Sequence, residues 1–177
     1  IRSLLGLLAV TLVLLAFLST RESYALFVPG LLEGAALTLK IAVLGSVLAL
    51  IAAIVAALCK MYGARPLRWL ANLYIEIFRG TSALVQLFWL FFVLPQFGIM
   101  LEAFTVAVVG LGLNVGAYGA EVVRGAISAV PRGQWEAATA LNMSQAQMLR
   151  RIILPQAFVA MIPPWGNLFI ELLKSTA

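Results

Sequence analysis

From residue 34 to residue 59 the sequence carries a single charge, Lys40, and is otherwise apolar or small. A helix that crosses the roughly 30 Å hydrocarbon core of a bilayer needs about 20 such residues, and in hydrocarbon a chain must satisfy its backbone hydrogen bonds within itself. The stretch therefore predicts a membrane helix, with Lys40 near one end, where its stem can snorkel to the interface. It has companions at 3–19 after Arg2, at about 69–94, at about 104–126, and in a fifth stretch that begins after Ile152 and is still weakly polar at Ala177. The residue balance agrees: 63% are hydrophobic and 11% charged, against about a quarter charged in a soluble domain. The expected fold class is all-α, a polytopic transmembrane helical bundle. The first stretch reads as an uncleaved signal anchor or as the apolar core of a signal peptide; a small-x-small cleavage site is not obvious after it, which favours a retained span.

Several chemistries are excluded. Histidine is absent and Cys59 is the one cysteine, which removes disulfide frameworks, zinc sites and histidine acid–base catalysis. No metal ligand and no catalytic residue is assigned. The net charge of +5 comes from residues flanking the spans, not from a basic run interleaved with aromatics, so the expected partner surface is a lipid bilayer and not nucleic acid. A phosphate-binding Gly-x-x-x-x-Gly-Lys-Ser/Thr loop is missing: of the lysines only Lys174 precedes a Ser or Thr, and Leu173 stands where Gly is required. The chain is not expected to bind ATP by that route.

Basic residues concentrate in the cytoplasmic segments of membrane proteins. With the N-terminus inside, the inner segments hold Arg2, then Lys60, Arg65 and Arg68, then Arg124, Arg132, Arg150 and Arg151. The outer segments hold Arg21 and, across 95–103, no basic residue. This places 125–155 in the cytoplasm. Gly45, Ala49, Ala53 and Ala57 recur every four residues, the spacing that lets helices approach closely in lipid. Gly110, Asn114, Tyr118, Glu121, Gly125 and Ser128 share one small-and-polar helical face, which should look at protein or water.

Between the last two stretches lies "EAATALNMSQAQMLRRIILPQAF", residues 136–158. Good helix formers run from Gln134 to Leu141, with Glu136 in the first turn to suit the helix dipole. Asn142 tolerates the left-handed backbone that ends helices. Ser144 and Gln147 make a capping box, and Met143 and Met148 a hydrophobic staple, for a second helix. Pro155 should end or kink that helix near Leu154. Two readings stand: a solvated loop with incidental helicity, or a rigid helical hairpin that docks a soluble partner.

The spacing Glu136-Ala137-Ala138, then Asn142, then Ile152 and Leu154-Pro155 resembles the EAA loop of the permease subunits of bacterial ATP-binding-cassette (ABC) importers. That family's pattern has Gly where this chain has Asn142. "EGAALTLKIAVLGSVLAL", "IEIFRGTSALVQLFWLFFVLP", "GAYGAEVVRGAISAVPRGQWEAA" and "IPPWGNLFIELLKSTA" are similar to the polar amino acid group within it, with glutamine, histidine, arginine and ectoine permeases as the nearest types. The resemblance covers most of the chain from about residue 31. It implies the type I permease fold, with 31–177 as the transmembrane domain, 1–30 as an extra N-terminal helix and short external loop, and 130–155 as the coupling loop. Family members usually carry Pro at position 82, where Ser82 stands here, and continue past this chain's last residue, so a C-terminally truncated chain is expected.

The same resemblance implies a multi-pass protein of the bacterial inner membrane that is a transport subunit, not an enzyme. Its implied partners are a cytoplasmic ATPase dimer holding ATP and Mg, a second permease subunit, identical or paralogous, and an external solute-binding protein. Glu136 is expected to contact the ATPase, with Ala137 and Ala138 permitting close approach. Pathway candidates are Asn114, Glu121, Pro164, Asn167, Glu171 and Lys174. The last three share a face, and Glu171 and Lys174 could bind a zwitterion or pair with each other. "PPWGN" reads as a broken helix lining a cavity. Glu121 with Arg124 is read as an internal or subunit-interface salt bridge, and Glu76 with Arg79 as a pair fixing the start of the third span at the cytoplasmic surface. Rival classes are an ion-driven secondary transporter or channel subunit, and a scaffold subunit without a pathway.

Overall fold

The computed structural model describes residues 2–19 and 27–176, so Arg21 and Ala177 lie outside the described residues. Every element among those described is helical. The order is α1 (Arg2–Ser19), α2 (Phe27–Tyr62), α3 (Arg65–Gly80), α4 (Ala83–Phe97), α5 (Ala103–Ser128), α6 (Arg132–Ala140) and α7 (Gln145–Thr176). The all-α expectation is met. The chain divides into two compact units, residues 1–40 and 41–177. The first holds α1, which occupies the first expected span, and the beginning of α2. Everything below concerns the second.

The helices α2, α5 and α7 are each long and apolar enough to cross a membrane, and α3 with α4 adds a bent fourth candidate. The 36 residues of α2 span about 54 Å at 1.5 Å per residue, so the helix is longer than expected and Lys40 lies well inside it. Gly63 and the Pro at the start of α3 separate α2 from α3, Pro being suited to a first helical turn because its missing N–H would have no partner there.

The seam of small residues on α2 is real. Gly45, Ala49, Ala53 and Ala57 are all buried, and glycines of α5 face them. A Cβ built on Gly112 would lie 3.1 Å from the Gly45 carbonyl, and one on Gly116 would lie 3.2 Å from the Ala49 carbonyl. The two backbones therefore touch, and the partners advance together along both chains, so α2 and α5 run parallel. Packing of this kind is what holds helices together in lipid, where apolar burial alone gives no preference for protein over tails.

Two expected features of the spans are corrected. The stretch 69–94 is not one straight helix: α3 and α4 are bent by 106° at the break between them. Thr81 and Ser82 are extended after Gly80, and the carbonyls freed there are met by side chains. Gln86 Nε2 donates to the Phe78 carbonyl at 2.9 Å and to Thr81 Oγ1 at 2.7 Å, Thr81 Oγ1 donates to the Ile77 carbonyl at 2.7 Å, and Asn114 Nδ2 on α5 donates to the Phe78 carbonyl and to Gln86 Oε1, each at 3.1 Å. Such local replacement bonds are what make a break tolerable at membrane depth.

Nor do the prolines interrupt α7. A π turn over Leu149–Ile153 precedes Pro155, with the Leu154 N–H donating to the Leu149 carbonyl, and the α-helix then continues through Pro163 and Pro164 to Thr176. The wider turn accommodates the ring that an ordinary α turn would clash with. The broken helix expected at "PPWGN" is absent, and the irregular backbone lies at 80–82 instead.

Candidate functional site

The hairpin α6–α7 forms as its capping residues dictate. Pro131 precedes α6, so the helix begins at Arg132, two residues earlier than expected, and Glu136 lies beyond its first turn. At the other end Asn142 has φ 54°. Its N–H donates to the Thr139 carbonyl at 2.9 Å and the Met143 N–H donates to the Ala138 carbonyl at 3.1 Å, the paired bonds of a Schellman turn. Ser144 then caps α7: its Oγ accepts from the Gln147 N–H at 3.3 Å while Gln147 Oε1 accepts from the Ser144 N–H at 3.0 Å. The left-handed turn and both halves of the capping box stand as expected.

Asn is among the few non-glycine residues that visit this backbone region cheaply. Asn142→Gly should leave thermal stability unchanged or slightly raised, whereas Asn142→Val should lower it by about 1–2 kcal/mol, read as an earlier melting transition of the purified protein. Equal melting of the two variants would mean the turn is not under conformational constraint.

The hairpin is seated on the membrane helices. Ala138, Met148 and Ile153 belong to one buried cluster with Ala53 and Ala57 of α2, Ile75 of α3, Ala120, Val123 and Ile127 of α5, and Trp165 of α7. Met143 and Ile152 pack against its edge, so both staple methionines join the same core. Glu136, Ala137, Asn142, Leu154 and Pro155 are exposed, and Leu141 at the tip is 73% exposed. The two alanines thus differ. Ala137 is presented outward, but Ala138 is 0% exposed, so the close approach it permits is that of α6 to its own core. That corrects the expectation that both alanines face a partner.

The polar residues fall into three groups. Glu121 on α5 accepts from Lys60 Nζ and from Arg124 Nε, both at 2.8 Å, which tie the end of α2 to α5. The internal salt bridge expected at Glu121–Arg124 is present, with Lys60 as a third member. Asn114, a pathway candidate, holds the α3–α4 break through its side-chain amide. Pro164, Asn167, Glu171 and Lys174 lie on the exposed face of α7. Among the described residues the ion pairs are those of Glu121, so Glu171 and Lys174 do not pair with each other, and neither do Glu76 and Arg79. Glu76 points to the exterior, and the Arg79 guanidinium lies over the Tyr118 ring at 5.4 Å.

A match to the family described as "Binding-protein-dependent transport system inner membrane component" extends over residues 45–177. The chain belongs to this family. The L-cystine transport system permease protein TcyB of Bacillus subtilis is 44% identical over 151 residues, 85% of this chain and 64% of that protein. The arginine transport system permease protein ArtQ of the same organism is 43% identical over 151 residues, 85% of this chain and 69% of that protein. The chain thus spans less than two thirds of the first relative. A crystal structure of an amino acid ABC transporter with histidines superposes with TM-score 0.82 at 40% identity, covering 87% of this chain and 72% of that one.

As an inner membrane component of such a system the chain is a multi-pass membrane protein, and its family is one of transport components and not of enzymes. Sequence reasoning missed three features of this inner membrane component: the Lys60 contact, the break at 80–82 and the stacking of Arg79 on Tyr118. The first and last join residues 61 and 39 positions apart, which no local pattern reports. The break had one local signal, Gly80 followed by two residues with short polar side chains.

Proposed function

We propose that this chain is the pathway-forming permease subunit of an ABC importer that takes up a polar amino acid or similar small zwitterion. In this reading a cytoplasmic ATPase dimer, which holds ATP and Mg, docks on the α6–α7 hairpin; a second permease copy or paralogue completes the pathway; and an external solute-binding protein delivers the cargo. The N-terminus and hairpin face the cytoplasm. Residues 31–177 make up the transmembrane domain, preceded by an additional helix within 1–30. Glu136, Ala137 and Asn142 form the docking tip, Ala138 and Ile152 seat it, Leu154 and Pro155 continue it into the last span, and Pro164, Asn167, Glu171 and Lys174 line the pathway or subunit face.

The observation that carries this reading is the construction of the hairpin. It is capped at both sides of its turn and continuous with the last membrane helix, so a push at the tip moves that helix as a body and is not lost in loop bending. A solvated loop with incidental helicity would need neither cap nor buried seat.

The test is co-purification of the cognate ATPase with wild-type protein and with Glu136→Lys. Reversing a charge at an interface opposes a complementary partner, and ATPase recovery is expected to fall at least about tenfold with the permease still monodisperse. Undiminished recovery and undiminished uptake by the variant would remove Glu136 from the docking surface. A wild type that recovers no ATPase would remove the importer reading.

A further inference from the structure

A groove runs between α2 and α3, and small residues are the reason it stays open. Ala52, Ala56 and Cys59 share one face of α2, and Leu67, Ala71 and Tyr74 share the facing side of α3. Alanines stand where larger side chains would interlock, and a cleft of about 310 Å³ remains between the helices. Leu113 of α5 closes its deep end, where the Tyr74 hydroxyl already donates to the Leu113 carbonyl at 2.7 Å. The side chains of the walls offer no other polar atom than the Cys59 thiol.

The mouth has the opposite character. Lys60 at the end of α2 meets Glu121 on α5, so the α2–α3 turn lies at the end of the bundle that carries the α6–α7 hairpin. Arg65 and Arg68 stand at this turn, both exposed. Among the described residues neither is in an ion pair, Glu121 being held by Lys60 and Arg124. The Arg68 guanidinium is drawn back over the turn, Nη2 donating to the Gly63 carbonyl at 3.4 Å, which leaves the rest of its fork for an anion. Tyr62 and Trp69 beside the arginines are exposed, as aromatic side chains are at the level of lipid headgroups. Further along α3, Leu70, Leu73 and Ile77 are exposed apolar residues, so the helix passes from interface to hydrocarbon within its first two turns.

We propose that the α2–α3 groove binds one anionic phospholipid of the adjoining leaflet, an acyl chain lying between the alanines and the headgroup phosphate resting on Arg68 and Arg65. Guanidinium forks fit phosphate oxygens, and basic residues beside a span draw anionic lipid to it. The dimensions select the occupant. From Ala52 to Cys59, and from Leu67 to Tyr74, each helix rises about 10 Å, so the cleft has a section of about 30 Å². That is room for an extended hydrocarbon chain, whereas a helix about 10–12 Å in diameter needs about 80–110 Å². Bound there, the lipid braces α2 against α3 beside the Lys60–Glu121 tie. The site concerns only the surface of this chain and the bilayer, and does not rest on the importer reading.

Cys59 is the one cysteine of the chain and forms part of the groove wall, so its alkylation by N-ethylmaleimide, read on its own peptide by mass spectrometry, reports occupancy. The test uses the protein purified in a neutral detergent with the subunits that accompany it, titrated with dioleoyl phosphatidylglycerol or dioleoyl phosphatidylcholine. In the wild type, half-protection of Cys59 should need about 5- to 30-fold less phosphatidylglycerol than phosphatidylcholine. The double variant Arg65→Gln, Arg68→Gln should need as much of one as of the other, and Arg68→Lys should fall between. Removing the same charge from the hairpin, with Arg132→Gln and Arg150→Gln, should leave the preference intact. If the first double variant is not recovered folded, Arg68→Gln alone decides, its preference falling about fivefold. Glycerophosphoglycerol, the headgroup without chains, and inorganic phosphate should protect nothing. Equal requirement for the two lipids in the wild type overturns the proposal, as does a preference that survives in Arg65→Gln, Arg68→Gln or is lost equally from the hairpin double variant. Protection by the headgroup or by phosphate alone overturns it in favour of a surface anion site. A Cys59 that resists alkylation before any lipid is added overturns it in favour of a protein segment seated in the groove. None of these outcomes bears on the importer reading.

Discussion

Gly116→Leu is expected to abolish recovery of folded protein. A Cβ at this position would lie 2.9 Å from Ala52 Cβ, 2.9 Å from the Tyr74 hydroxyl and 3.2 Å from the Ala49 carbonyl. None of these can swing aside: one is a methyl stub, one is backbone, and the hydroxyl is held by donation to the Leu113 carbonyl at 2.7 Å. Larger side chains in a filled core cost about 1–3 kcal/mol even where neighbours can shift, and here the seam between α2 and α5 must part along its length. Gly119 is equally enclosed, its Cβ position 2.7 Å from the Trp165 ring and 2.9 Å from Ala53 Cβ. Gly125, with nothing within 4 Å, is the control, and Gly125→Ala should behave as wild type. Size-exclusion profiles in detergent and melting temperatures decide the matter. A monodisperse Gly116→Leu protein with wild-type melting would mean that α2 and α5 do not touch here.

Adjacent alanines of the hairpin should respond oppositely to the same change. Ala138→Leu inserts a branched side chain into a fully buried position against the cluster that joins the hairpin to the spans, and should destabilise the protein by about 1–3 kcal/mol. Ala137→Leu adds its bulk to the outside and should leave melting unchanged. If the tip docks an ATPase, Ala137→Leu should still reduce ATPase recovery, because the side chain occupies space that a partner needs. The pair separates seating from docking: melting reports the first, recovery the second. Wild-type melting of Ala138→Leu would mean that the hairpin is not seated on the core, and equal loss of stability in both variants would mean that Ala137 is also enclosed.

The parts of this fold that could be read from the sequence are those in which neighbours along the chain do the work. The Schellman turn at Asn142 and the capping box at Ser144–Gln147 are closed by residues three to five apart, and both stand as the sequence predicts. The small-residue repeat of α2 is periodic and names its own face. The break at Thr81–Ser82 is different, because its stability depends on Asn114, which approaches only after α5 has packed. Pro155, Pro163 and Pro164 misled for a related reason: a proline states what it disfavours in isolation, while the surrounding tertiary structure decides whether the helix goes on. Proximity in sequence pairs Arg79 with Glu76, whereas in the fold its guanidinium lies over an aromatic ring on another helix.

The π turn at Leu149–Ile153 also sets rotational phase. Met148 and Ala157 differ by nine positions, and at about 100° per residue an uninterrupted α-helix would point them about 180° apart. Both are nevertheless buried in the same cluster. A π turn holds one surplus residue, which takes back about 100° of winding and brings the two toward a common side. The hairpin and the last span can then each keep their apolar side inward while remaining one rod. The bulge works as a vernier between two stripes that would otherwise be out of step, and it fixes which azimuth of α7, the one carrying Asn167, Glu171 and Lys174, is left facing outward.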